Sequence, residues 1–265
     1  MPALLAAFGA SAGYAVATIL QALGTRRSTG LRALAQPLVL LGLALDGASF
    51  LLSLVAYARL PLFLVQTVIA ASVAFVVVLA VPLLKVSLRR RDVVAVVAVV
   101  AGLVGLALIG SDQPPATPPP GFTAAMLAGL AVLAVALGLG YRSGPAWLFG
   151  TISALGYAGV AIAARGARTS GSWSELVAQP LTIAVVGFGV IAFTAYVRAL
   201  DVGPVALAAS LVAVIEVAVP GVAGLFLFGD SVPVDASLPG ALAVLVALAG
   251  CVVLGSSPAT AAAGD

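Results

Sequence analysis

Nine stretches of mostly apolar residues succeed one another along this 265-residue chain, at about 3–23, 35–57, 61–84, 92–110, 122–140, 145–164, 179–199, 203–227 and 238–255. Each is close to the roughly 20 residues that a helix needs to cross the hydrocarbon of a bilayer. The composition agrees. Hydrophobic residues make up 63% of the chain and charged residues 8%, where a soluble domain carries roughly 25% charged residues. Mean hydropathy is +1.24, so the outside of the folded chain is apolar and its solvent is lipid. A soluble enzyme, a nucleic-acid binder and a secreted disulfide scaffold are excluded at this step. Runs such as Val93 to Leu108 lack the polar/apolar alternation of a membrane barrel strand. The expected fold is therefore an all-α membrane protein, a bundle of about nine transmembrane helices.

The few charges indicate orientation. Loops after odd-numbered spans hold Arg26, Arg27, Arg32, Lys85, Arg89, Arg90, Arg91, Arg142 and Arg198, whereas loops after even-numbered spans hold Arg59, Arg165 and Arg168. The positive-inside rule makes the first set cytoplasmic, with the N-terminus outside and the C-terminus inside a cell membrane. Span 1 has no positive residue before it, and Arg26 and Arg27 follow it, so it reads as a retained anchor and not as a signal peptide. Five prolines between Ser111 and Gly121 predict an extended external loop, and the small, polar tail 256–265 is expected to be disordered. The chain has no His, and its single Cys251 cannot form an internal disulfide.

An internal repeat underlies the order of the spans. Gly13-Tyr14-Ala15 recurs as Gly156-Tyr157-Ala158, and Gln36-Pro37-Leu38 recurs as Gln179-Pro180-Leu181; Pro61 matches Pro204 and Asp92 matches Asp235, all at an offset of 143 residues. Spans 1–4 (residues 1–110) then correspond to spans 6–9 (145–255), with the external loop and span 5 (111–144) between them. The offset between corresponding spans is five. That odd number turns the second copy upside-down, which predicts an inverted-repeat bundle of the kind found in secondary transporters.

Two charges interrupt the apolar spans. Asp46 lies midway along span 2 and Glu216 midway along span 8. A charge at a helix centre costs about 2.5–3.5 kcal/mol on insertion scales, so it faces the bundle interior and tends to serve a function. Ser49 and Ser53 share the Asp46 face at i+3 and i+7, while Ser11, Tyr14, Thr18 and Gln21 form a second polar stripe on span 1. Gln66 and Thr67 stand on span 3. Asp46, Glu216, Ser49, Ser53, Tyr14, Thr18 and Gln66 are the candidate substrate- or ion-binding residues; the alternative for the two carboxyl groups is a packing role through hydrogen bonds to neighbouring helices. Arg198 and Asp201 are placed to pair at the membrane surface, and Tyr57 and Tyr196 read as interfacial anchors. No Walker motif, nucleophile triad or cysteine pair is present, so neither an enzyme nor an ATP-driven pump is expected.

The chain resembles the drug/metabolite transporter superfamily (EamA-type), and within it the nine-helix NIPA-like branch of magnesium transporters. The likeness rests on Gly42-Leu43 leading to Ala56-Tyr57 and then Pro61 in the first repeat, and on Ala199-Leu200-Asp201, Pro204 and Leu227-Phe228-Gly229-Asp230 in the second. It departs where NIPA proteins carry a glutamate on span 2, since Phe50 stands there with Asp46 one turn earlier, and again at Val86. The resemblance implies transport without ATP.

The expected function is secondary transport of a small metabolite or drug-like solute by alternating access, proton-coupled or by exchange. Asp46 and Glu216 would be metal ligands in the alternative, a divalent-cation carrier of the NIPA-like kind. A rival from another class is a membrane scaffold that moves nothing. The expected partners are the lipid bilayer and a small molecule or ion, with no nucleic acid and no cofactor; monomer and homodimer both stay open.

Overall fold

A computed structural model of the protein describes residues 2–25, 36–109, 118–167, 178–230 and 234–264. Its helices are α1 (Pro2–Thr25), α2 (Pro37–Tyr57), α3 (Leu62–Ala70), α4 (Ser72–Leu84), α5 (Arg90–Ile109), α6 (Phe122–Gly140), α7 (Ala146–Gly166), α8 (Pro180–Val202), α9 (Val205–Leu227), α10 (Val234–Gly255) and α11 (Pro258–Gly264). No strand occurs among the described residues. Among the described residues, nine helical spans are long and apolar enough to cross a membrane, with α3 and α4 together making the third. The protein is a multi-pass, all-α membrane protein.

The helices pack on small residues. Without a hydrophobic driving force between helices in lipid, association depends on close backbone approach, which Gly and Ala permit. Many large apolar side chains face outward, among them Leu108, Val94 and Phe226, as suits a lipid boundary.

The chain divides into two compact units, and their membership crosses the repeat boundaries. The first unit comprises Met1–Ala56, Thr67–Gly110 and Val232–Asp265, which hold α1, α2, α4, α5, α10 and α11; the second comprises Tyr57–Gln66 and Ser111–Ser231, with α6 to α9. The division into 1–110, 111–144 and 145–255 expected from the repeat thus does not describe how the helices cluster. The physical reason lies in α5 and α10. A Cβ built on Gly102 would lie 2.6 Å from the Ala243 carbonyl oxygen and 2.8 Å from the Ala247 Cβ, and one on Gly250 would lie 2.8 Å from the Ala95 carbonyl oxygen. These contacts make the two helices antiparallel, and only glycine lets their backbones come so close.

Within the first unit α1 also packs on α4, and within the second α7 packs on both α8 and α9. Where α1 meets α2, a Cβ added on Gly13 would meet Ser49 Oγ and lie 3.3 Å from Ser49 Cβ. In the second unit Gly156 meets Ala192 of α8, at 2.8 Å between Cβ positions. Ser49 and Ala192, like Gly13 and Gly156, are 143 residues apart.

Span 3 is interrupted at Ala71. The Ala74 N–H donates to the Ala71 carbonyl at 2.9 Å, one residue short of the helical partner at Ala70. Cys251 Sγ donates to the Ala70 carbonyl instead, at 3.4 Å, so the lone cysteine answers a backbone acceptor released from the ladder. Two expectations at the chain's connections have different outcomes. The proline-rich connection lies largely outside the described residues. The tail expected to be disordered is not so: α11 packs on α4 and α1, Ala259 N–H donates to Ser257 Oγ at 3.1 Å, and Thr260 Oγ1 donates to the Leu254 carbonyl at 2.6 Å. Its run of alanines has high helix propensity and fits a crowded site, which a reading by polarity overlooks.

Candidate functional site

Polar groups gather in two places, one in each unit. In the first, α1 and α2 face each other along a seam. Asp46, half-buried, accepts a hydrogen bond from Gln21 Nε2 at 2.6 Å through Oδ2. Thr18 Oγ1 donates to the Tyr14 carbonyl at 2.9 Å, and Ser53 Oγ donates to the Phe50 carbonyl at 2.7 Å. Ser49 and Ser53 are buried, as is Ser11, whose hydroxyl has no hydrogen-bond partner. The stripes read from the sequence on spans 1 and 2 therefore meet, with Gln21 as the residue that engages the carboxyl group. A carboxylate flanked by an amide and hydroxyls can accept and donate hydrogen bonds to a polar solute inside an apolar bundle.

The remaining candidates belong to the second unit. Glu216 is half-buried on α9, within electrostatic reach of Tyr196 on α8. Gln66 is buried and accepts from the Tyr57 hydroxyl at 3.0 Å through Oε1, while its Nε2 has no partner. Tyr57 is correspondingly buried; it is not the interfacial anchor expected. Among the described residues no three His, Cys, Asp or Glu side chains come together.

A charged cluster in the second unit was not foreseen. Arg165 reads from the sequence as a loop residue, but it occupies the last turn of α7 with its side chain 2% exposed. Its Nη2 stands 2.8 Å from Oδ1 of Asp230, itself 1% exposed, and its Nη1 donates to the Tyr57 carbonyl. The Leu62 N–H donates to Asp230 Oδ2 at 2.8 Å. The ion pair thus satisfies two orphan groups at helix ends, the terminal carbonyl of α2 and the first N–H of α3, each with the charge that complements the local dipole. The sequence around Asp230 folds to allow this. Gly229 takes φ +65, a conformation that favours glycine. Asp230 N–H returns to the Gly224 carbonyl at 2.9 Å, and a Cβ on Gly224 would strike Asp230 Oδ2. The available signal was one of the few arginines on the less basic side, together with an acid closing span 8.

At the surface, Arg198 lies 3.7 Å from Asp201, as the i,i+3 spacing suggests, and its guanidinium stands over the Tyr141 ring at 5.4 Å. Exposed pairs of this kind contribute little stability. Comparison of the chain with protein-family models, with curated proteins and with solved structures returns no match.

Proposed function

We propose that the protein is a secondary transporter that moves a small metabolite or drug-like solute by alternating access, in the manner of the drug/metabolite transporter superfamily. The observation that carries this reading is the return of structure at the 143-residue offset. Helices α2 and α8 open at Pro37 and Pro180, α3 and α9 open at Leu62 and Val205, and α4 and α9 close at Leu84 and Leu227. The Gly13–Ser49 approach returns as Gly156–Ala192. The counterpart spans α5 and α10 run antiparallel, and Gly102 meets residues on either side of Leu245, its own counterpart. Those features support an inverted repeat, the architecture that lets one chain exchange the shapes of its halves. They favour it over a scaffold, which has no use for the symmetry.

Asp46 with Gln21, Ser49 and Ser53 is the part of the seam that binds solute, and Glu216 is the second intramembrane acid. One carboxylate among an amide and hydroxyls suits a modestly polar solute better than magnesium, which favours several oxygen ligands and retained waters. The test is a solute screen on the purified protein in liposomes with an imposed pH gradient, repeated with Asp46→Asn and Glu216→Gln at equal incorporation. Uptake of at least one solute, reduced about tenfold or more in Asp46→Asn, is expected from the loss of an interior charge. Full uptake in both variants would end the assignment of these residues. Magnesium flux abolished by Glu216→Gln would favour the cation carrier.

A further inference from the structure

We infer that the Arg165–Asp230 pair is a latch that holds the turn between the second and third spans shut against α7 and the end of α9, within the second unit. This inference rests on the transport reading for its purpose, though not for its geometry. The pair comes from the second repeat, and the two backbone groups it grips, the Tyr57 carbonyl and the Leu62 N–H, come from the first. Four groups form a closed ring: carbonyl to guanidinium, guanidinium to carboxylate, carboxylate to amide, with the chain from Tyr57 to Leu62 completing it.

Connections at the ends of membrane helices ordinarily sit in water. This one is half withdrawn: Ala58 and Arg59 are exposed, but Leu60 and Pro61 are buried, as are Leu62, Leu64 and Val65 in the first turn of α3 and Phe228 at the end of α9. Removing either charge strands the other in a dry site, which is strongly destabilising for the closed arrangement. The latch is also one-sided. At the repeat offset Arg165 corresponds to Ala22 and Asp230 to Ser87, so the inverted copy has no ion pair to offer. Two like halves would hold their corresponding turns equally, and this asymmetry confines the latch to the turn after span 2.

The ring also sets a rule that an ordinary salt bridge would not. Exchanging the charges, with Arg165→Asp and Asp230→Arg together, keeps an ion pair but turns a carboxylate towards the Tyr57 carbonyl and a guanidinium towards the Leu62 N–H. The exchange therefore does not restore the latch.

The experiment measures labelling of the full-length protein in nanodiscs, where both faces meet a membrane-impermeant maleimide. Cys251→Ala removes the native thiol, and Leu60→Cys places a probe under the latch, with Leu84→Cys at the far end of the third span as the second probe. Adding Asp230→Asn or Arg165→Gln is expected to speed labelling at position 60 by about tenfold or more, because the buried pair loses a partner. Position 84 stays as slow as before, and the charge exchange labels as fast as the single variants. Unchanged labelling at position 60 would overturn the latch. So would an equal rise at both positions, which marks general loosening, or full protection in the charge exchange, which marks a plain ion pair. Because no solute is involved, a protein that transports nothing can still pass this test, and a transporter can fail it.

Discussion

Asp92 is a charge buried at a helix start and satisfied through one of its two oxygens, since Oδ1 has no hydrogen-bond partner. Its Oδ2 accepts the Arg89 N–H at 3.0 Å, the reach back from the third helical position that forms half of a capping box at the start of α5. Arg91 Nε lies 3.7 Å from Oδ1. Replacing Asp92 by Ala removes the acceptor and is expected to cost about 1 kcal/mol, in the range of lost helix caps, whereas Asp92→Asn keeps an acceptor and costs less. Thermal unfolding of the two variants in detergent checks the order; equal midpoints would show that the cap contributes nothing. The sequence marks Asp92 only as the counterpart of Asp235. Residues whose partner lies within a turn, such as Thr18 with Tyr14, are legible from spacing. Arg165 and Asp230 stand 65 residues apart in sequence, and no periodicity connects them.

At the level of helix pairs, the two glycines at corresponding positions face different neighbours. A Cβ on Gly13 of α1 meets mainly a serine hydroxyl, which can rotate away, but one on Gly156 of α7 would lie 3.0 Å from the Ala192 Cα and 3.1 Å from its N. Backbone cannot rotate away. Gly156→Ala is thus expected to destabilise by about 1–3 kcal/mol, the cost of overpacking, and Gly13→Ala by less. Chemical or thermal unfolding of both variants measures the difference, and a larger loss at Gly13 would show that α1 and α2 pack more rigidly than α7 and α8. The existence, order and length of the spans were legible because hydrocarbon thickness leaves few choices. The break at Ala71 was not, since the stretch from Leu62 to Leu84 has no charge or glycine and its proline, Pro82, stands well beyond that point. Nor was α11 legible, because its seven residues are too few and too small to show a periodic face.

The whole molecule departs furthest from what its repeat suggests. A 143-residue offset invites a division into two halves joined by a linker, yet α10 from the second repeat packs on α5 from the first within one unit, and Tyr57–Gln66 from the first repeat is enclosed in the other. Offset and composition fix which helices correspond; they do not say whether a helix packs with its own copy or with the opposite one. That choice falls to Gly102 and Gly250, whose backbones admit Ala243, Ala247 and Ala95 at distances that leave no room for a Cβ. A consequence follows for the divided chain. Fragments 1–117 and 118–265, each holding one complete copy, would be separately stable if the repeats were independent domains. Alone, the first fragment leaves the α5 glycine face without α10 and the Tyr57 carbonyl and Leu62 N–H without Arg165 and Asp230. The second leaves that buried ion pair without either backbone partner. Backbone groups without partners cost several kcal/mol each in an apolar interior. Neither fragment is therefore expected to give a monodisperse peak when extracted alone, while co-expression should let a tag on one half recover the other in equal amount. A symmetric peak from either fragment by itself would show that the copies fold independently and that the exchange of helices between them is dispensable.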